Sequence, residues 1–393
     1  MEFLQLLETV SQDKASVQTL FGGEGRSAGS LRRQDPRYLA AISEAAGFIA
    51  DVYKGRRPLY QLQEAMTTSD FPYLFGDVLD RQLLQNYRDT NATYRNWCHI
   101  STVTDFRTVH RFAINGAEAT LAIVPEQDEY PEAKLTDLQY AYKVAKYGRR
   151  IPFSWEAIMN DDLGALRDIP MRFGVAARRT EEKFATQLLA GAAGFNSTFF
   201  TVGNKNIINP TNGAIGGIVN PPLSIAGLQD GFAVLAQQKD ADGEPIFIDA
   251  VELIVPPALE VSALNILNAT ELWLSGAGGT ATEQVHVANW MKNRIHLNVD
   301  YYLPIVSTTN GNTTWYMVAS PKTGRPAFEI GFLRGHETPE VFIKNPNQRL
   351  VGGGEDAMQG DFLNDSIEYK VRSVLGGTAL DTKMAVASNG SSA

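Results

Sequence analysis

The stretch from residue 105 to 150 constrains this chain most. Phe106, Thr108, His110, Phe112 and Ile114 alternate with polar or small residues, the period of two that marks a strand with one distinct face. Asn115-Gly116 follows as a tight-turn dipeptide. A second alternating run, Tyr140, Tyr142 and Val144, ends at Gly148. Between the runs lies IVPEQDEYPEAK, acidic and bounded by Pro125 and Pro131. The pattern predicts a long two-stranded excursion with a charged tip and little core of its own. Isolated hairpins are marginal in water, so such an element needs something to lie against, and a neighbouring subunit meets that need.

The residues before the hairpin also lack a core. Phe3, Leu7, Val10, Val17 and Phe21 stand at near-heptad spacing, which predicts an amphipathic helix leading into the link GGEGRSAGSLRR. Asp35 and Pro36 then signal a helix start, with Leu39, Ile42, Ala46 and Ile49 on one face. The segment FPYLFGDVLDRQLLQNY (71–87) is helical in period too. Helices separated by links read as an arm.

Beyond the hairpin comes the longest predicted helix. Asp168 is its expected N-cap, Pro170 sits in the first turn where a missing N–H costs nothing, and Gly191 ends it. Ile169, Phe173, Ala176, Ala177, Thr180, Phe184 and Leu188 form an apolar stripe. Arg172, Arg178, Arg179, Glu182 and Lys183 are expected on the opposite face, with Arg178 and Glu182 at i,i+4 spacing. About six turns make a rod of roughly 30 Å.

Residues 223–332 read as α/β. A helix capped by Ser224 carries Ile225, Leu228, Phe232 and Leu235, the turn KDADGEP follows, and IFIDAVELIV gives one or two strands. Pro256-Pro257 opens another helix with Leu259, Ala263, Leu264 and Leu267. RIHLNVDYYL, TTWYMVAS and AFEIGFL are strand-like, and this is the densest apolar part of the chain. The last fifty residues hold an acidic glycine-rich loop, VGGGEDAMQGD, and the strand-like runs SIEYKVRSVL and KMAVAS, with Gly376-Gly377 between them. No internal repeat is visible.

Composition narrows the function classes. At 393 residues the chain exceeds one simple core and is expected to form two or three lobes. No run approaches the roughly 20 apolar residues that span a bilayer, and MEFLQLLETVSQDK does not read as a signal peptide. A lone cysteine, Cys98, forbids an internal disulfide and fits a reducing cytoplasm. The net charge is −9. A phosphate-gripping protein needs basic clusters, whereas the longest basic runs here are the pairs Arg32-Arg33, Arg56-Arg57, Arg149-Arg150 and Arg178-Arg179. Such pairs read as ion-pair partners.

Catalytic signatures are nearly absent. Of His99, His110, His286, His296 and His336, no two stand at i,i+3 or i,i+4, and no paired-Cys zinc pattern, serine elbow or P-loop lysine motif occurs. Gly23-Glu24-Gly25-Arg26-Ser27-Ala28 formally fits a dinucleotide fingerprint but follows no strand. Lys239–Glu244 starts like a calcium loop, yet its glycine is one position early and Val251 stands where the bidentate glutamate belongs. Trp97-Cys98-His99 suggests a thiol beside a base, but neighbours on a strand point to opposite faces, so a buried small cysteine is the better reading. Glu126, Asp128, Glu129 and Glu132 at the hairpin tip suit a solvated loop or an inter-subunit ion pair. No cofactor, metal or catalytic residue is expected.

Arm, long hairpin, long helix, α/β lobe and strand return, in that order, resemble the Hong Kong 97-type capsid fold of tailed bacteriophages. YKVAKYGRRIPFSWEAIMNDDLGALRDIPMRFGVAARRTEEKFATQLLAG (142–191) resembles the E-loop return and spine helix of phage capsid proteins, and ELIVPPALEVSALNILNA (252–269) the strand and helix of their axial domain. RPAFEIGFLRGHETPEVFI (325–343) and SIEYKVRSVLGGTALDTKMAVASNG (366–390) look like the return through the peripheral domain. FPYLFGDVLDRQLLQNY is similar to the arm of the branch containing the Mu-type major head subunit. The resemblance covers roughly residues 70 to 390 and implies an α+β chain divided into a helical arm (1–104), an E-loop hairpin (105–150), a spine helix with the first part of a peripheral domain (151–222), an axial domain (223–332) and return strands with a tail (333–393).

The resemblance further implies a major capsid protein, not an enzyme, whose partner is itself. Hexamers and pentamers would close an icosahedral shell around double-stranded DNA, without sequence-specific DNA binding and without a membrane. Assembly is expected in the host bacterial cytoplasm, the product residing in the virion. The short N-terminal extension favours a separate scaffolding protein, or none, alongside a portal, and leaves a decoration protein open. Some members of the family form lysine–asparagine cross-links from the E-loop; Lys134, Lys143 and Lys146 lie in the region, but hairpin lysines are common and no cross-link is expected. Expected inter-subunit contacts are Glu126, Asp128, Glu129, Arg149, Arg150, Arg178 and Arg179. The rival readings are an encapsulin-type nanocompartment shell and an unrecognised soluble α/β enzyme.

Overall fold

A computed structural model describes residues 83–84, 87–88, 92–115, 136–154, 163–240, 243–248, 250–275, 284–344, 362–363 and 366–391. The arm helices expected before residue 83, the hairpin tip and the loop at 351–361 lie outside the described residues. Of the expected 71–87 helix, Leu83, Leu84 and Tyr87 are helical, with Leu83 and Tyr87 buried.

The chain is a mixed α+β fold. In order come α1 (Tyr94–Trp97), β1 (His99–Val103), β2 (Val109–Asn115), β3 (Thr136–Tyr142), β4 (Ala145–Ser154) and α2 (Leu163–Leu189), then the short pair β5 (Ala190–Gly191) and β6 (Gly194–Phe195). Next are α3 (Ile225–Ala236), β7 (Val251–Val255), α4 (Glu260–Asn268), β8 (Glu271–Ser275), β9 (Gln284–Ala288) and β10 (Ile295–Val299). The chain continues through α5 (Leu303–Val306), β11 (Trp315–Ala319), β12 (Phe328–Leu333), β13 (Glu340–Ile343), β14 (Ser366–Ala379) and β15 (Ala385–Ser388).

Two compact units result, one from Ala145–Arg179 and Phe332–Leu375 with the residues up to Asn91, the other from Ala92–Val144, Thr180–Gly331 and Gly376–Ala393. The first contains an antiparallel ladder in which β14 pairs on one side with β4, from Ser366↔Ser154 to Leu375↔Ala145, and on the other with β13, from Glu340↔Arg372 to Ile343↔Tyr369. The second contains a four-stranded sheet in the order β10-β7-β11-β15, where β10 runs parallel to β7 and β11 antiparallel to both its neighbours.

That sheet carries the best core of the chain. Every residue of β7, β11 and β15 is buried, and α3 and α4 cover it with Leu228, Val234, Leu235, Ala263 and Leu267. A strand buried throughout reads as an apolar run without alternation; WYMVA is one, and VELIV is apolar apart from Glu252, whose buried carboxylate accepts from the Asn298 amide at 2.6 Å. Ser224 caps α3 as expected, its hydroxyl accepting the Gly227 N–H at 3.0 Å. Trp315 is fully buried and donates its indole N–H to the Pro221 carbonyl at 3.0 Å. The described residues of KDADGEP come together, Lys239 bridging Pro245 and the Asp240 carboxylate accepting the Glu244 N–H at 3.0 Å; Ala241 and Asp242 lie outside the described residues.

Several expectations change. Helix α2 starts at Leu163, so Asp168 is not its cap and Pro170 lies inside it, where the ring deprives the Leu166 carbonyl of its usual N–H partner. The helix has 27 residues, about 40 Å at roughly 1.5 Å each, and stops at Leu189, two residues before Gly191. Its expected polar face is not all polar surface: Arg172, Arg179 and Lys183 are exposed, but Arg178 and Glu182 are buried. IFIDAVELIV supplies the strand Val251–Val255, within the one or two expected, whereas DYYL leaves the strand for a turn and α5. Gly376-Gly377 does not separate two strands but lies within β14. A Cβ at these positions would come within 2.5 Å of the Lys143 carbonyl oxygen and 2.4 Å of that of Glu329, so both glycines serve close backbone approach. The run from Tyr140 to Gly148 divides: β3 ends at Tyr142, and β4 pairs with β14.

Candidate functional site

The hairpin is present, and the run of alternating residues from Phe106 to Phe112 lies on its outward face. β2 and β3 pair in register from Val109↔Tyr142 to Asn115↔Thr136. Asn115 is thus still a strand residue and not a corner of the turn; Gly116 lies outside the described residues. Cross-strand partners share a face, so Val109, Arg111, Tyr140 and Tyr142 form one side near the base, and His110, Phe112, Gln139 and Ala141 the other. The first set is buried or half-buried and the second exposed. Phe112 is 67% exposed, stacks on His110 at 6.4 Å between ring centroids, and Phe106 before the strand is 41% exposed. The apolar alternation read from Phe106 to Phe112 therefore marks the outward side.

What faces inward is a polar clamp. Glu329 on β12 is 4% exposed, and one of its oxygens, Oε1, accepts from Ser101 Oγ on β1 at 2.6 Å, Tyr142 OH on β3 at 2.6 Å and Arg111 Nε on β2 at 2.8 Å. Burial by itself would raise this carboxyl. The hydrogen bonds from Ser101, Tyr142 and Arg111 and the arginine charge outweigh burial and hold it below its ordinary value.

A second group of buried acids has a different balance. Glu182 on α2 accepts the backbone N–H and the hydroxyl of Thr93, Glu181 accepts the Tyr94 hydroxyl at 2.8 Å, and Asp300 accepts the Thr186 hydroxyl at 2.6 Å and the Tyr302 N–H at 2.8 Å. Burial, and secondarily the Asp300 charge, push Glu182 up to about 7 despite the Thr93 donors. Burial raises Asp300 as well. Cys98 is buried beside this group; burial first, then the Glu182 and Asp300 charges, push its thiol well above the ordinary range. A thiol held protonated is a poor nucleophile, and His99 next to it is exposed. Cys98 is thus a small buried side chain, as expected for Trp97-Cys98-His99. Among the described residues no group of three or more His, Cys, Asp and Glu could hold a metal ion, and no helix is long and apolar enough to cross a membrane.

The expected contact residues are scattered. Glu126, Asp128 and Glu129 lie outside the described residues. Arg149 and Arg150 are exposed on β4, Arg150 with one guanidinium nitrogen 3.5 Å from the Glu368 carboxylate on β14. Arg178 is engaged within its unit: Nε donates to the Tyr87 carbonyl at 2.7 Å, and the guanidinium lies 3.7 Å from the Tyr87 ring centroid, a cation–π contact. Arg179 is exposed. Lys143 and Lys146 are exposed, and Lys134 lies outside the described residues.

The phage capsid protein family matches residues 138–388, well over half of the chain. The chain belongs to that family. No curated protein matches it. Among solved structures it is similar to one from Mycobacterium phage Bobi, with 14% identity, 76% of this chain and 90% of that chain covered and a TM-score of 0.43. The capsid of Ralstonia phage GP4 follows at 9%, 74%, 86% and 0.43, and a structure from Gordonia phage Cozz at 14%, 74%, 83% and 0.40.

As a major capsid protein this chain has a structural role, and its partner is further copies of itself, which form the shell of the virion. Its functional surface is therefore the surface offered to those copies. Glu329 has no local sequence signature, because its partners Ser101, Arg111 and Tyr142 lie 228, 218 and 187 residues away. The available signal was one carboxylate in the middle of the apolar run AFEIGFL. A lone charge there demands donors from elsewhere in the fold.

Proposed function

We propose that this protein is the major head subunit of a tailed phage, of the Hong Kong 97 fold and the Mu-type branch, and that hexamers and pentamers of it close an icosahedral shell around double-stranded DNA. In this reading β2–β3 is the E-loop, α2 the spine helix, the β4–β14–β13 ladder part of the peripheral domain, and the sheet of β10, β7, β11 and β15 with α3 and α4 the axial domain. The shell assembles in the host cytoplasm with a separate scaffolding protein and a portal, and it contains the DNA without reading its sequence.

The observation that carries the proposal is the facing of the hairpin. Arg111 and Tyr142 turn inward onto Glu329, while Phe112 and His110 turn outward, with Phe112 67% exposed. Exposing an aromatic side on a thin two-stranded element is a poor arrangement for an isolated subunit and a good one for an element that lies on a neighbour. Arg149, Arg150 and Arg179 remain exposed for contacts between copies. Each contact can be weak, because closure of a lattice multiplies them.

Replacing residues 116–135 by a two-residue turn tests this. The subunit should keep its melting temperature, and electron microscopy should find no closed shells. Normal shells from the shortened chain would overturn the role given to the hairpin. Shells of the intact chain that fill with a protein cargo and never with DNA would favour the encapsulin reading.

A further inference from the structure

We infer that Glu329 and Gly331, two residues apart on β12, fix the direction in which the β2–β3 hairpin leaves the subunit, and that this direction governs shell closure. The inference deepens the reading above and rests on its assignment of the hairpin to assembly.

Three strands converge on a single carboxylate oxygen. Ser101 from β1, Arg111 from β2 and Tyr142 from β3 all donate to Oε1 of Glu329, so both strands of the hairpin are tied to the same atom of the body. Tyr142 and Ser101 are also within hydrogen-bond distance of each other, at 3.0 Å. Only one face of the described hairpin turns inward, through Val109, Arg111, Tyr140 and Tyr142, since His110, Phe112, Gln139 and Ala141 are exposed. Its orientation thus depends on a small polar contact near its base, from which displacements grow toward the tip.

Gly331 makes that contact sterically feasible. A Cβ there would stand 2.4 Å from the Tyr142 hydroxyl oxygen and 2.9 Å from both the tyrosine ring and Val103 Cγ2. The absent side chain is the slot through which Tyr142 reaches Glu329. The carboxylate selects the direction by pairing, and the glycine by leaving room for one placement of the ring. Glu329 is therefore a positioning residue: it acts through the hairpin and need not touch a neighbouring subunit itself.

Hydrogen exchange on unassembled subunits, paired with sedimentation and electron microscopy of assembly reactions, tests this. In Glu329→Ala and Gly331→Ala the amides of 109–115 and 136–142 should exchange about ten-fold faster or more, the scale of losing a hydrogen bond to a charged group. Amides of β7 and β11 should not change. Glu329→Gln keeps an acceptor for Ser101 and Tyr142 but no charge for Arg111, so it should restore part of the protection. The double variant should be no worse than either single one, because both disable the same device. Yield of closed shells should fall in the same order. Should Glu329→Ala unfold, as loss of β7 and β11 protection would reveal, Tyr142→Phe and Glu329→Gln give the same readout. Unchanged hairpin exchange in all variants overturns the inference. Faster exchange with normal shells overturns its link to closure. Failure of the parent reading is recognised separately, by normal shells from the chain lacking residues 116–135.

Discussion

Two parts of one compact unit stay ordered by different means. The sheet of β10, β7, β11 and β15 is wrapped by α3 and α4, with Trp315, Met317, Leu253 and Val386 fully buried. The β2–β3 hairpin keeps one side on a polar clamp and presents Phe112 to solvent. Apolar burial is non-directional and scales with area, so the lobe holds itself together whatever surrounds it. A hydrogen-bonded carboxylate is directional, and its roughly 1.5–3 kcal/mol per bond to a charged group is realised in one geometry only, so the hairpin is aimed as well as stabilised. In the role proposed for the hairpin, a shell subunit needs both: a rigid body, and an extension that meets its neighbour at one angle.

The comparison breaks most readily at Trp315. Truncation to alanine empties the centre of the lobe and removes the donor to the Pro221 carbonyl. The expected loss is about 3–5 kcal/mol, read by urea denaturation of the subunit. A loss below about 1 kcal/mol would show that the lobe is not the main store of stability.

The two sets of buried acids sharpen the comparison through pH. Glu329 is held below its ordinary value, so its contribution is present at neutral pH and disappears only as pH falls through that lowered value. Glu182 is raised to about 7, so its contribution is complete in acid, below the unfolded value, and is lost as pH rises through about 7. Subunit stability should therefore drop by up to about 3 kcal/mol from Glu182 across that range, at roughly 1.4 kcal/mol per unit. Glu182→Gln should flatten this slope while leaving hairpin exchange unchanged. A wild-type stability that does not fall between pH 5 and about 8 would contradict the assigned burial.

Much of the lobe could be read from the chain because its determinants are local. Ser224 precedes its helix, Pro256-Pro257 opens the next, and WYMVA throughout and VELIV apart from Glu252 are apolar because both their sides are buried. The hairpin strands were legible from their period, but their facing was not. Alternation says that two sides differ and leaves open which one turns inward. That choice rests on Glu329, more than 180 residues from either hairpin donor. The start of α2 was misplaced because Pro170 suits a first turn locally and is tolerated inside the longer helix Leu163–Leu189. Arg178 and Glu182 looked like a surface pair at i,i+4 spacing, yet Tyr87 and Thr93 take them into the interior.

The smallest effect on the subunit belongs to Phe112, and there the comparison is most exposed to failure. The side chain is 67% exposed and touches His110 by stacking, so Phe112→Ser should change subunit stability by less than about 0.5 kcal/mol, as surface substitutions do. Hairpin exchange should stay at the wild-type rate too, because Arg111 and Tyr142 still reach Glu329 from the opposite side. Assembly should nevertheless suffer, with fewer closed shells at equal protein concentration, because an aromatic contact repeated at every copy is lost. A serine variant that closes shells as well as the parent would mean that the outward aromatic side is not what neighbouring copies grip. The direction set by Glu329 would then have to be read by the hairpin's tip instead of its strands.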